Sequence, residues 1–203
     1  APPVAAPAVA APAASPVKPK EFPALTPPSF SHKYQFGLSV LPGTGYRAIF
    51  PYQKNNQAAI FCGQKDGQTD KSICTQRLPV FLDVQPSFGF ANHWDVLVDL
   101  RFGLEQDFTQ TREFAVAPGV RYWVDPEEDA KFFATIQMAY DTTKQLPNTQ
   151  VTNNDFGIRN SNGFMFEIMR NFGVYAQFGE TIGFRRWLRF EIDAGLGVQA
   201  RLP

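Results

Sequence analysis

Two carboxylates, Glu191 and Asp193, lie two residues apart in the stretch "WLRFEIDAGLGVQARLP". Side chains at i and i+2 of a β-strand share a face, so the pair could divide the work of a general acid and a general base. The same face carries Arg189 and Arg201. Guanidinium groups interleaved with carboxylates hold them ionised, which favours a structural network of ion pairs. Other chemistry-bearing residues are few. His32 and His93 are the only histidines, and no G-x-S-x-G element occurs. "LPGTGYR" has two glycines without the Lys-Ser or Lys-Thr of a phosphate loop, and reads as a kink or bulge. No catalytic residue, cofactor site or metal site is expected. Cys62 and Cys74 share one polar stretch, "FCGQKDGQTDKSICTQ". A local disulfide in an oxidising compartment is the expectation, the alternative being two unpaired structural thiols. Zinc is disfavoured because no histidine or second cysteine pair stands nearby.

The elements that must position these charges alternate in polarity. From Leu188 to Leu202 every second residue is apolar, a period of two that indicates a strand. The same pattern recurs in "KYQFGLSVLPG", "RLPVFLDVQPSFGF", "WDVLVDLRFGLEQD", "FAVAPGVRYWV", "KFFATIQMAYD", "GFMFEIMR" and "FGVYAQFGETIGF", making eight segments in all. Glu180 is the clear breach, a charge on an apolar face. Long and short connections alternate. The turns at Ala91–His93, Asp125–Asp129 and Arg170–Asn171 would share one end with both termini, and the excursion from about Tyr46 to Gln76 would lie at the other.

Lys+Arg and Asp+Glu are each 19, a balance that gives no footprint for nucleic acid. No apolar run reaches the length of a membrane helix, but a spanning strand needs only about 10 residues with alternate ones apolar. A soluble barrel would place the apolar face inward and the charges in water; a membrane barrel reverses this. Two features favour reversal. The polar face is rich in glycine, at Gly37, Gly103, Gly119, Gly173, Gly179, Gly195 and Gly197, as suits a crowded lumen. Its charges are of mixed sign: Arg77, Asp83, Asp99, Arg101, Glu105, Arg121, Lys131, Asp141, Glu167, Arg189, Glu191, Asp193 and Arg201. Aromatics near segment ends, Tyr34, Phe88, Trp94, Tyr122, Trp123, Tyr140, Phe184 and Trp187, would form interfacial girdles.

The expected fold is therefore all-β, an eight-stranded antiparallel transmembrane barrel with a polar, side-chain-filled lumen over residues 33–203. Residues 1–32, dominated by Ala and Pro, read as a disordered periplasmic tail or linker. The alanine start is compatible with cleavage of a signal peptide.

Over residues 33–202 the pattern and topology resemble small outer-membrane β-barrels of the OmpA/OmpX transmembrane type. One departure is the ending, Leu202-Pro203, where such barrels carry an aromatic. The resemblance implies a Gram-negative outer membrane and an N-terminus in the periplasm. Barrel enzymes of related type imply a catalytic histidine at the extracellular side, whereas His32 and His93 fall at the turn end. The function expected is a non-enzymatic membrane anchor, structural component or surface-recognition element. Outer-membrane lipid would surround it, a periplasmic or cell-wall partner would meet the tail, and a surface ligand would meet residues 46–76. The alternatives are a narrow channel and a soluble secreted lipocalin-like barrel for an apolar ligand.

Overall fold

The computed structural model describes residues 30–50, 73–106, 112–142, 154–185 and 188–202, the side chain of Cys74 excepted. Eight strands run in chain order: β1 (Phe36–Phe50), β2 (Cys74–Ala91), β3 (Trp94–Gly103), β4 (Phe114–Val124), β5 (Ala130–Asp141), β6 (Asp155–Met169), β7 (Phe172–Gly183) and β8 (Leu188–Leu202). Each pairs antiparallel with its sequence neighbour, and β1 pairs with β8 to close the barrel. Closure leaves no edge strand to be covered.

Alternation dictates the wall. In β5 and β7 every second residue is buried without interruption. The buried set is mostly polar: Asp83, Asp95, Gln85, Thr135, Asp193 and Gln199 are all hidden from solvent, while Phe36, Phe132, Met138 and Leu196 are well exposed. The barrel is thus inverted relative to a soluble one, the arrangement of a membrane-spanning barrel.

The glycine pair of "LPGTG" forms an irregularity, a register shift against β2 between Gly43 and Gly45. A Cβ on Gly45 would stand 2.0 Å from the Ile192 carbonyl oxygen, so glycine is required where β8 approaches. Beyond this point β1 continues to Phe50 and β2 begins at Cys74. Tyr46–Phe50 and Cys74–Gln76 are therefore wall rather than loop, as the Ile49 to Cys74 pairing shows. β6 also starts earlier than its hydrophobic pattern suggests, because Asn160 and Asn162 occupy outward positions that alternation would fill with apolar residues.

Short turns at Asn92–His93, Asp125–Asp129 and Arg170–Asn171 share one end with His32 and Leu202. That end is the turn end below, and the other is the loop end. Cys62 lies outside the described residues, as does the Cys74 side chain, so their pairing does too. Most of the tail, residues 1–29, also lies outside them.

Candidate functional site

The lumen gathers most of the chemistry-bearing side chains. Near its middle, Arg101 from β3 donates to both oxygens of Asp83 on β2, each at 2.8 Å. Its terminal nitrogens also reach Asp193 on β8 at 3.3 Å. Arg159 from β6 grips the same Asp193 with two bonds, at 2.5 and 2.9 Å, and donates to Thr181 at 3.1 Å. Its Nε lies 3.8 Å from Asp99. Side chains from five of the eight strands thus meet across the lumen, in the bidentate geometry that suits guanidinium to carboxylate. Phe81 packs under this cluster, with the Arg101 guanidinium 3.6 Å above its ring.

Towards the loop end, Arg189 holds Asp141 at 3.0 Å, Asp155 at 3.4 Å and Glu191 at 3.4 Å. The space remaining among Asp99, Glu113, Asp141, Arg159 and Glu191 is about 20 Å³, room for roughly one water molecule.

The turn-end half is built differently. Leu41, Trp123, Phe133, Met165 and Tyr175 form an apolar cluster inside the barrel. Trp123 is fully buried and donates Nε1–H to Asp95 at 2.8 Å. Arg121 lies over the Phe133 ring and donates to Gln85 at 2.6 Å. Arg201 faces Asp95 at 3.7 Å and Glu167 at 3.9 Å.

Below this cluster the chain ahead of β1 turns into the mouth of the barrel. His32 is buried, its ring edge against Trp123 at 4.6 Å, with Nε2 between Glu167 and Lys131. Lys131 also donates to the carbonyls of Phe30 at 3.1 Å and Pro126 at 2.8 Å. Tyr34, in the left-handed region at φ 62°, donates its N–H to Gly89 O at 2.6 Å. A Cβ on Gly89 would meet the His32 carbonyl oxygen at 2.0 Å, so this close approach requires glycine. Burial, then the charges of Arg201, Lys131 and Arg121, hold the His32 pKa well below the usual histidine range.

The residues singled out from the sequence fall into three groups. Asp83, Asp99, Arg101, Asp193, Arg189 and Glu191 meet in the ionic half, and Arg121, Glu167 and Arg201 lie in the apolar half. Arg77 and Glu105 pair with each other at 2.5 Å but remain about half exposed, outside the buried interior. The reasons differ: Glu105 lies beyond the end of β3, where the wall no longer encloses it, and Arg77 lies past the register shift between inward Phe81 and inward Leu78, which turns it to the outer face beside Tyr46. Trp123 is a correction in kind, a lumen side chain and not a girdle one. Asp95, Arg159 and Asp155, and the inserted His32, were not assigned to the network from sequence. Asp95 and Asp155 share the polar parity that marks the other lumen charges. His93 sits in the turn between β2 and β3, with Nδ1 2.9 Å from Trp123 O and its ring stacked on Tyr122. Both histidines are thus at the turn end.

No protein-family profile and no curated protein sequence matches the chain. Solved structures do. The chain is similar to the N-terminal β-barrel domain of Pseudomonas aeruginosa OprF, with TM-score 0.57 and 10% identity over 84% of this chain and 98% of that one. It is similar to Neisserial surface protein A, with TM-score 0.55 and 10% identity over 81% and 96% of the two chains. It is also similar to Ail, the attachment invasion locus protein of Yersinia pestis, with TM-score 0.50 and 14% identity over 84% and 99%. At such identities the likeness is one of fold. It establishes an eight-stranded barrel of the outer-membrane type.

Proposed function

We propose that the protein is a non-enzymatic integral barrel of the Gram-negative outer membrane, acting as an anchor, structural component or surface-recognition element. The observation that carries this reading is the combination of an apolar outer wall with a lumen filled by its own buried side chains. A channel needs a continuous polar path, and a lipocalin-like carrier needs an apolar cavity inside. A filled inverted barrel serves neither purpose and leaves the two ends of the chain to do the work. In this reading the turn end faces the periplasm with the Pro/Ala-rich tail, which would meet a periplasmic or cell-wall partner. The loop end, including residues 51–72 between β1 and β2, faces outward for a surface ligand. A disulfide between Cys62 and Cys74 would pin that loop.

Membrane fractionation tests the reading. The protein should stay with the membrane pellet through carbonate extraction and migrate as a compact band on gels unless heated. A protein washed off the pellet, with identical heated and unheated bands, would return the soluble-barrel alternative.

A further inference from the structure

Among the described strand residues two charged side chains face outward, Arg77 on β2, which pairs with Glu105 at the loop end, and Glu180 on β7, which no ion pair reaches. Asn160 on β6 stands directly opposite it in register, and Ile192 of β8 flanks it on the other side. Asn162 lies one outward step nearer the turn end, beside Phe178. A carboxylate accepts hydrogen bonds and donates none, and hydrocarbon offers no donor. No hydrogen bond reaches the Glu180 or Asn160 side chain among the described residues. Two apolar rows, Ile158 with Ile182 and Phe156 with Phe184, separate them from the loop end.

The wall hollows out immediately below. A groove there is lined by the small side chains Ala134, Ala176 and Ala194 between Phe164 and Phe178. Small residues that admit a second surface closely, next to polar groups that lipid leaves unsatisfied, are what membrane-embedded protein contacts use.

We propose that this face is the contact between two copies of the chain in the membrane. Copies inserted by one route share one orientation, so a two-fold axis relating them runs along the membrane normal. An axis passing between β6 and β7 exchanges those strands, bringing each Glu180 opposite Asn160 of the second copy. The carboxylate then receives an amide donor, twice over, from one self-complementary patch. A site built for a foreign cation would need the carboxylate alone; the paired amide is what selects a second copy. The proposal rests on the membrane-barrel reading above.

The full chain, labelled at its N-terminus and reconstituted in phospholipid vesicles, is counted by single-molecule photobleaching across protein-to-lipid ratios. The two-copy fraction should rise with density. Glu180→Ala combined with Asn160→Ala should weaken association about tenfold while keeping the unheated compact band. Val98→Ala on the opposite wall should leave association unchanged. If the double variant loses the compact band, Ala176→Trp, which fills the groove, takes its place with the same expected loss. A chain that stays single at every density overturns the proposal, as does a pair that survives these substitutions or that Val98→Ala weakens equally. A chain that never gives the compact band would instead overturn the membrane reading itself.

Discussion

The two halves of the lumen are filled by different physics. In the loop-end half, Arg101, Arg159 and Arg189 are threaded among Asp83, Asp141, Asp155, Glu191 and Asp193. In the turn-end half, Trp123, Phe133, Met165, Tyr175 and Leu41 supply an apolar core, with Lys131 and Glu167 gripping the inserted His32. Ion pairs out of water are costly to break singly, because the charge left behind has nowhere to go. Apolar packing fails more gradually, by cavity and lost contact. The comparison teaches that one continuous wall can enclose two kinds of core.

The largest effect is expected where the ionic half depends on one group. Asp193 serves both Arg101 and Arg159. Asp193→Ala should lower stability by about 3–5 kcal/mol, read by urea unfolding in lipid or detergent. Replacing Asp193 and Arg159 together by leucine should cost less than Asp193→Ala alone. Equal or greater loss in the pair would mean that the carboxylate acts through packing, and the contrast between the halves would fall.

A smaller effect is expected in the apolar half. Trp123→Phe keeps most of the packing but removes the Nε1–H bond to buried Asp95, at a cost of about 1–3 kcal/mol. A loss as large as that of Asp193→Ala would show that the turn-end half is polar in its energetics as well.

The smallest and most local effect concerns the inserted segment. The His32 pKa is held below its ordinary value of 6.5. A detached His32 therefore takes up a proton before the inserted one does, and insertion weakens as pH falls below about 6.5. Hydrogen exchange at the Tyr34 and Gly89 amides, both bonded in this turn, should quicken from pH 7.5 to 5.5 while amides of β6 and β7 hold. Uniform protection across that range would contradict the assignment.

Much of the barrel was legible because a period of two survives in the sequence wherever lipid faces one side. β5 and β7 show it without a break. The first half of β6 hid because Asn160 and Asn162 stand outward and blur the alternation. Parity fails past a bulge and says nothing of depth: the register shift in β2 turns Arg77 to the outer face beside Tyr46, and Glu105 sits beyond the end of β3. Trp123 shares the parity of Arg121, but an aromatic next to Tyr122 near a strand end fits a girdle equally well from sequence alone. The insertion of His32 had no periodic signal, since it is set by partners 57 to 169 residues away along the chain: Gly89, Trp123, Lys131, Glu167 and Arg201.

The sealed lumen is the central claim, and single-channel recording in planar bilayers tests it most directly. The full chain, inserted and showing its compact unheated band, should give no steady unit conductance at either polarity. Reproducible ohmic steps would contradict the account, above all if Asp193→Ala altered their size.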